Sequence, residues 1–384
     1  MTGPLEGLRI IEMAGLGPGP FCAMMLADHG ADVVRIDRLG AAVGSDIVEG
    51  DPTQAIWNRS RRGVAVNLKD ARGVALMRRL CAGADALIEG YRPGVMERLG
   101  LGPEILLADN PKLVYGRMTG WGQDGPYARM AGHDINYIAL SGALHGIGRK
   151  GEKPVPPLNL VGDFGGGGMM LAFGILAALL NARTTGKGQV VDCAMTEGSA
   201  MLMAMIYGLH AQGRWQDERG LNFVDTGAHF YETYETADAK FIAVGAIEPH
   251  FYRLFLELIG LSGVIDPASQ NDPSMWNQHK RDIAARFKTK TRAAWCAVFE
   301  GQDACVAPVL SLTEAPQHAH NVARGAFVVV AGAHQPAPAP RFSATRSANP
   351  VAFASGETVT DDIFGAAAFA PEEILSLRRD GVLA

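Results

Sequence analysis

Cysteine is scarce and unpatterned. The five residues Cys22, Cys81, Cys193, Cys296 and Cys305 include no Cys-x-x-Cys pair, so neither a disulfide framework nor a zinc site is indicated, and a reducing, cytoplasmic setting is expected. Positive charge is not in excess: 35 Lys and Arg face 40 Asp and Glu, a net charge of −5. That balance argues against nucleic acid as a partner, while a local basic cluster remains able to hold a small polyanion. The start, Met1-Thr-Gly-Pro-Leu-Glu-Gly-Leu-Arg9, has no basic segment followed by an apolar one, and Gly381-Val-Leu-Ala384 is not a peroxisomal address, so no targeting segment is expected. The longest uncharged run, Phe164 to Ala182, contains four consecutive glycines. It reads as a loop entering a buried helix, and no membrane span is expected.

What is present is a core. Of 384 residues, 48% are hydrophobic and 20% charged, which suits one large soluble domain carrying a smaller one. The first forty residues read as strand, turn, helix, strand: Leu8 to Met13, Gly15 to Pro20, Phe21 to His29 and Ala31 to Asp37. Further helices near 71–82 and 104–108 alternate with strands at 86–89 and 113–116, the pattern of a parallel, helix-covered sheet of α/β class. Apolar helices are expected over 169–182 and 195–213, short aromatic strands from Phe230, amphipathic helices over 249–299, an extended linker over 331–350 and a last helix from Pro371.

The turn Gly15-Leu-Gly-Pro-Gly-Pro20 imitates a dinucleotide fingerprint. Position 20 is Pro20 instead of the third glycine, and Pro18 and Pro20 lack the N–H donors that a pyrophosphate needs. A tight strand-to-helix connection opened by proline explains the segment. Basic residues near the same sheet edge, Arg38 and Arg59-Ser-Arg61-Arg62, join Lys69, Arg92 and Arg98. Together they point to a phosphorylated adenine nucleotide at the carboxyl ends of the strands. An ionisable histidine stands in Gly132-His133-Asp134-Ile-Asn-Tyr137. A carboxylate stands in Asn159-Leu-Val-Gly-Asp163, beside the glycine run 165–168. Taken alone, the histidine suits a structural role and the aspartate a helix cap; the glycines also let a ligand approach backbone donors.

These motifs, with Glu89-Gly-Tyr-Arg-Pro-Gly94, Gly120-Trp-Gly-Gln123, Gly186-Lys-Gly-Gln-Val-Val-Asp192 and Ala243-Val-Gly-Ala-Ile-Glu-Pro249, carry a resemblance over residues 3–345. The sequence resembles the α-methylacyl-CoA racemases of the family III CoA-transferase superfamily. The resemblance implies a Rossmann-like large domain over 1–193 and 324–384 and a small α+β domain over 223–296. Connections over 194–222 and 297–323 would thread two chains into an interlocked homodimer. It implies His133 and Asp163 as two bases, with Glu248 supporting the histidine from the partner chain's small domain. CoA contacts are implied at Arg38, Val66, Asn67, Leu68, Lys69, Gly90, Tyr91, Arg92, Arg98, Gly132, Asp134, Ile135, Asn136 and Tyr137. The CoA moiety belongs to the acyl-CoA substrate, so no separate cofactor and no metal is expected.

Two flanking acid/base groups suit inversion of an α-methyl centre through an enolate, whose oxygen would take backbone donors from the glycine run after Asp163. Met169, Met170, Met195, Met201, Met203 and Met205 suit either an adaptable wall for the acyl tail or ordinary helix packing. Two rival readings are a CoA-transferase with Asp163 as nucleophile and a non-catalytic CoA-binding scaffold. The acyl group itself is not legible, since tail contacts are diffuse.

Overall fold

The computed structural model describes residues 2–40, 43–44 and 55–384. In chain order it begins β1 (Arg9–Met13), α1 (Pro18–Asp28), β2 (Asp32–Arg38), β3 (Arg62–Val66), α2 (Ala71–Ala82) and β4 (Ala86–Glu89). There follow α3 (Val95–Arg98), α4 (Pro103–Asp109), β5 (Val114–Thr119), α5 (Asp134–Leu140), α6 (Ala143–Gly146), a π-helix (Leu160–Met169) and α7 (Met170–Thr185). Next are β6 (Val190–Ala194), α8 (Met195–Leu202), α9 (Ala204–Ala211), β7 (Tyr231–Glu235), β8 (Phe241–Gly245), α10 (Pro249–Leu258), α11 (Pro273–Phe287), α12 (Arg292–Phe299) and β9 (Val306–Pro308). The chain ends with α13 (Ala319–Arg324), β10 (Phe327–Val330), β11 (Ala333–Pro336), β12 (Ala354–Ser355), α14 (Glu357–Gly365) and α15 (Pro371–Arg379).

Two compact units result. The first takes 1–141, 158–202 and 319–384, the second 142–157 and 203–318. In the first, seven parallel strands run in the order β12-β3-β2-β1-β4-β5-β6. Strand residues of one parity, Ile11, Val34, Leu87 and Tyr115, pack under α2, α4, α14 and α15; Ile10, Val33, Ile88 and Val114 pack under α1 and α7. Burial on both faces explains why these strands read as continuous apolar runs. Strand order reverses between β1 and β4, and such switch points open a crevice at the carboxyl ends of the strands.

The second unit sets β7-β8-β9, antiparallel, against α10 to α12 around Phe255, Phe287 and Trp295. Residues 142–157, read from sequence as part of the large domain, belong to this unit. Arg149 forms a bidentate pair with Glu232, at 2.7 and 2.9 Å, and Arg219 donates to the carbonyls of His145 and Glu152. Segments 203–222 and 297–318, read as connections, belong to it too. The helix expected over 195–213 is two helices that part at Met203, where the units divide. The linker expected from 331 begins as the second strand of an antiparallel hairpin, β10-β11.

Candidate active site

A cleft of about 1320 Å³ lies at the switch point of the first unit, lined from the carboxyl ends of β1, β4 and β5, by α1, and by the π-helix. Most small-ligand pockets enclose about 300–1,000 Å³, so this one has room for a long ligand. His133, Tyr137, Asp163, Gly90, Tyr91 and Arg92 all face it.

Each of these is placed by local chemistry. His133 is the extended residue preceding α5, and its own amide donates to Asn136 Oδ1 at 3.0 Å, so the histidine is held by the helix it introduces. Tyr137, one turn on, donates its hydroxyl back to the Gly132 carbonyl and lies edge-on to Trp121, 4.8 Å between ring centroids. Gly132 has no room for a β-carbon, which would fall 2.7 Å from Tyr137 and 2.9 Å from Trp121. The Gly90–Arg92 turn is set by Glu89. Its buried carboxylate accepts the Tyr91 amide at 2.7 Å and the Arg117 guanidinium at 2.9 Å.

Asp163 sits inside the π-helix Leu160–Met169. Such wide turns are rare and recur at functional sites. Its carboxylate accepts from Asn159 Nδ2 at 3.1 Å, and a β-carbon on Gly17, where φ is +65°, would lie 3.1 Å from its Oδ2. Burial holds the Asp163 carboxyl above the usual carboxylate range. The Asn159 hydrogen bond opposes that rise, Asp134 adds to it, and His133 opposes it.

Several expectations are corrected by this geometry. The glycine run is not an open loop offering oxyanion donors. In a π-helix each amide turns back to the carbonyl five residues before it, as Phe164 does to Asn159 at 3.3 Å. Its glycines serve close packing, since β-carbons on Gly166 and Gly168 would meet Ser199 and Phe21 at under 3 Å. The arginine cluster is not free for phosphates either: Arg59 pairs with Asp28, Arg61 with the fully buried Glu12, and Arg62 with Asp32. Asp134, expected at CoA, is buried and accepts the Asp163 amide at 2.8 Å through Oδ1. Val66 is fully buried and bridges to Leu383, while the Asn67 amide donates to the Val382 carbonyl. Leu68 packs on the core.

Arg38 is exposed at the end of β2, Lys69 is exposed after β3, and Arg98 is exposed on α3; none of the three lines the cleft. Ile135 and Asn136 are exposed on α5 and do not line it either. Glu248 belongs to the second unit, an exposed residue preceding α10. Of the methionines singled out, Met169 and Met195 line the cleft. Met13, Met24, Met25, Met118 and Met130 line it as well and were missed, because they are scattered over several elements. Asn159 and Gly17 were also missed as site residues. The four-residue spacing of Asn159 and Asp163 was the available signal for the first.

A half-buried carboxyl and an accessible imidazole on one apolar cleft can take and give protons at a carbon between them. A model of CoA-transferase family III matches residues 5–357. The chain is 47% identical over 384 residues to a mouse protein named α-methylacyl-CoA racemase, covering 99% of this chain and 97% of that one. The human protein of that name is 45% identical, with the same coverage. Mouse succinyl-CoA:glutarate CoA-transferase is 30% identical over 88% of this chain and 81% of its own. Among solved structures, that of Rv3272 from M. tuberculosis superposes with a TM-score of 0.77 at 25% identity, covering 93% of this chain and 98% of that one.

Proposed function

This chain belongs to CoA-transferase family III, and on that premise we propose that it is an α-methylacyl-CoA racemase, interconverting (2R)- and (2S)-2-methylacyl-CoA thioesters. The observation that carries the reading is His133 and Asp163 on one cleft, in a chain 47% identical over almost its full length to a racemase. One group removes the α-proton, an enolate forms, and the other group returns a proton to the opposite face; the reverse direction exchanges the roles. Burial suits Asp163 to hold the proton that it must deliver. The apolar wall of Phe21, Met24, Met25 and Phe164 suits acyl tails of varied shape, since methionine packs adaptably.

The Gly90–Arg92 turn is assigned to the CoA arm, and Arg38, Lys69 and Arg98 to its phosphates. Glu248 keeps the supporting role that the resemblance implies. The active form is assigned as an interlocked homodimer, which the bare apolar face of α7 supports: Phe173 is 71% and Leu180 68% exposed. The five free thiols support a cytosolic setting.

The test is incubation in deuterated water with one chiral 2-methylacyl-CoA and no acceptor acid. Exchange of the α-proton together with formation of the opposite epimer is expected. A transferase would leave that hydrogen alone, require a second carboxylic acid, and pass through an anhydride on Asp163. Acceptor-dependent CoA transfer without deuterium incorporation would replace the racemase reading.

A further inference from the structure

We propose that Asp134 is a positioning residue that locks the two proton-transfer groups to each other, its main chain carrying His133 and its side chain holding the backbone of Asp163; the proposal rests on the racemase reading. Asp134 is the first residue of α5 and directly follows His133. It is 7% exposed, and its Oδ1 accepts the Asp163 amide at 2.8 Å. A carboxylate normally uses a buried position only when both oxygens find donors. Here Oδ2 is buried with no hydrogen-bond partner among the described residues. A solvated residue would serve an ordinary helix start at lower cost, so the position is demanded by what Asp134 does to its neighbour.

Gly162 has the complementary shape. A β-carbon there would lie 2.4 Å from Asp134 Oδ1, so the residue before Asp163 must be glycine for the carboxylate to reach the amide. The pairs 133–134 and 162–163 are thereby latched, backbone to side chain, and a displacement of either base is passed to the other. The latch is also electrostatic. Asp134 raises the Asp163 carboxyl further above its ordinary range, after burial, because two close carboxylates resist joint ionisation.

His133 opposes the rise, and Tyr137 on α5 feels the Asp163 charge. Of the elements packed on the π-helix, α1 carries Cys22 and Asp28, α8 the exposed Glu197, α7 Arg183 in its last turn, β5 Tyr115 and Arg117, and β6 Asp192 and Cys193. The charged neighbours that shift Asp163 are Asp134 and His133.

Two substitutions separate geometry from charge. Asp134→Asn keeps an oxygen able to accept the Asp163 amide and removes the charge; Asp134→Ala removes both. For Asp134→Ala, kcat is expected to fall about a hundredfold, the cost of a misplaced reacting group, with KM for the thioester little changed. For Asp134→Asn, most of kcat is retained. The limb of the pH–rate profile set by Asp163 moves to lower pH in both directions of reaction, because removing a like charge lets Asp163 ionise more readily. Carbon-13 titration of the Asp163 carboxyl, assigned through Asp163→Asn, should move in the same sense and needs no turnover.

A folded Asp134→Ala with native kcat would overturn the latch, and so would an Asp163 titration unmoved in Asp134→Asn. If the alanine variant does not fold, the titration in the asparagine variant decides alone. Failure of the wild type to exchange the α-proton would sink the racemase reading instead, and the carboxyl titration would still read the Asp134 contact.

Discussion

A carboxyl proposed both to hold and to release a proton needs opposing influences around it, and Asp163 has them in its immediate neighbours. Burial and Asp134 favour the protonated form; Asn159 and His133 favour the charged one. His133 differs in being exposed and in having its backbone amide held by Asn136 Oδ1. Replacing either base by alanine should lower turnover by at least about a hundredfold, the scale of a positioned acid or base, while the fold persists. Racemisation assays with circular dichroism on each variant check this, and near-native turnover in both directions by either one would dismiss the two-base assignment. The sequence made both groups legible, since each stands in a dense local motif. Gly17 was legible only as a turn. Its closeness to the Asp163 carboxylate arises between residues 146 positions apart, and no local pattern reports such a distance.

Among the elements that sequence reasoning mistook, the π-helix is the one that bears on the site. Four glycines in a row predict a loop because glycine lowers helix propensity. Tertiary packing overrides this: α8 and α1 approach the run so closely that side chains there would collide. The tightest point is Gly198 on α8, where a β-carbon would fall 1.8 Å from the Gly166 carbonyl oxygen. Gly198→Ala should therefore destabilise the first unit by about 3 kcal/mol, the upper range of overpacking, and should displace Asp163 with it. Thermal denaturation and turnover measured together check the coupling; a variant of native stability and activity would mean that the two helices yield without cost. The parallel strands, by contrast, were legible because burial on both faces leaves an uninterrupted apolar signature.

For the whole molecule, the assigned interlocked dimer makes a firm demand. Threaded chains cannot separate without opening, so sedimentation or light scattering should give a dimer that survives dilution until unfolding. A stable, active monomer would refute it. The second unit carries its own pH sensitivity. His229 is fully buried, bonded to the Tyr252 hydroxyl at 2.6 Å, and its pKa is pushed down by burial to about 3. Because the unfolded histidine titrates near 6.5, the stability contributed by the neutral ring is complete above that pH. It is lost as pH falls toward about 3. Calorimetric melting of this unit should accordingly fall between pH 7 and 4, and more steeply than in His229→Gln.

The sequence by itself determined the α/β class, the strand and helix alternation of the first unit and the family, and it singled out His133 and Asp163 as the proposed proton-transfer pair. These depend on side-chain periodicity and on contiguous motifs, both local properties of the chain. Only the tertiary structure decided that 142–157 joins the second unit, that Arg59, Arg61 and Arg62 are already paired, and that the Asp134 carboxylate accepts the Asp163 amide. A formal charge says nothing of its partner until folding brings distant segments within hydrogen-bond reach, and the cost of burying an unpaired charge then selects the partner.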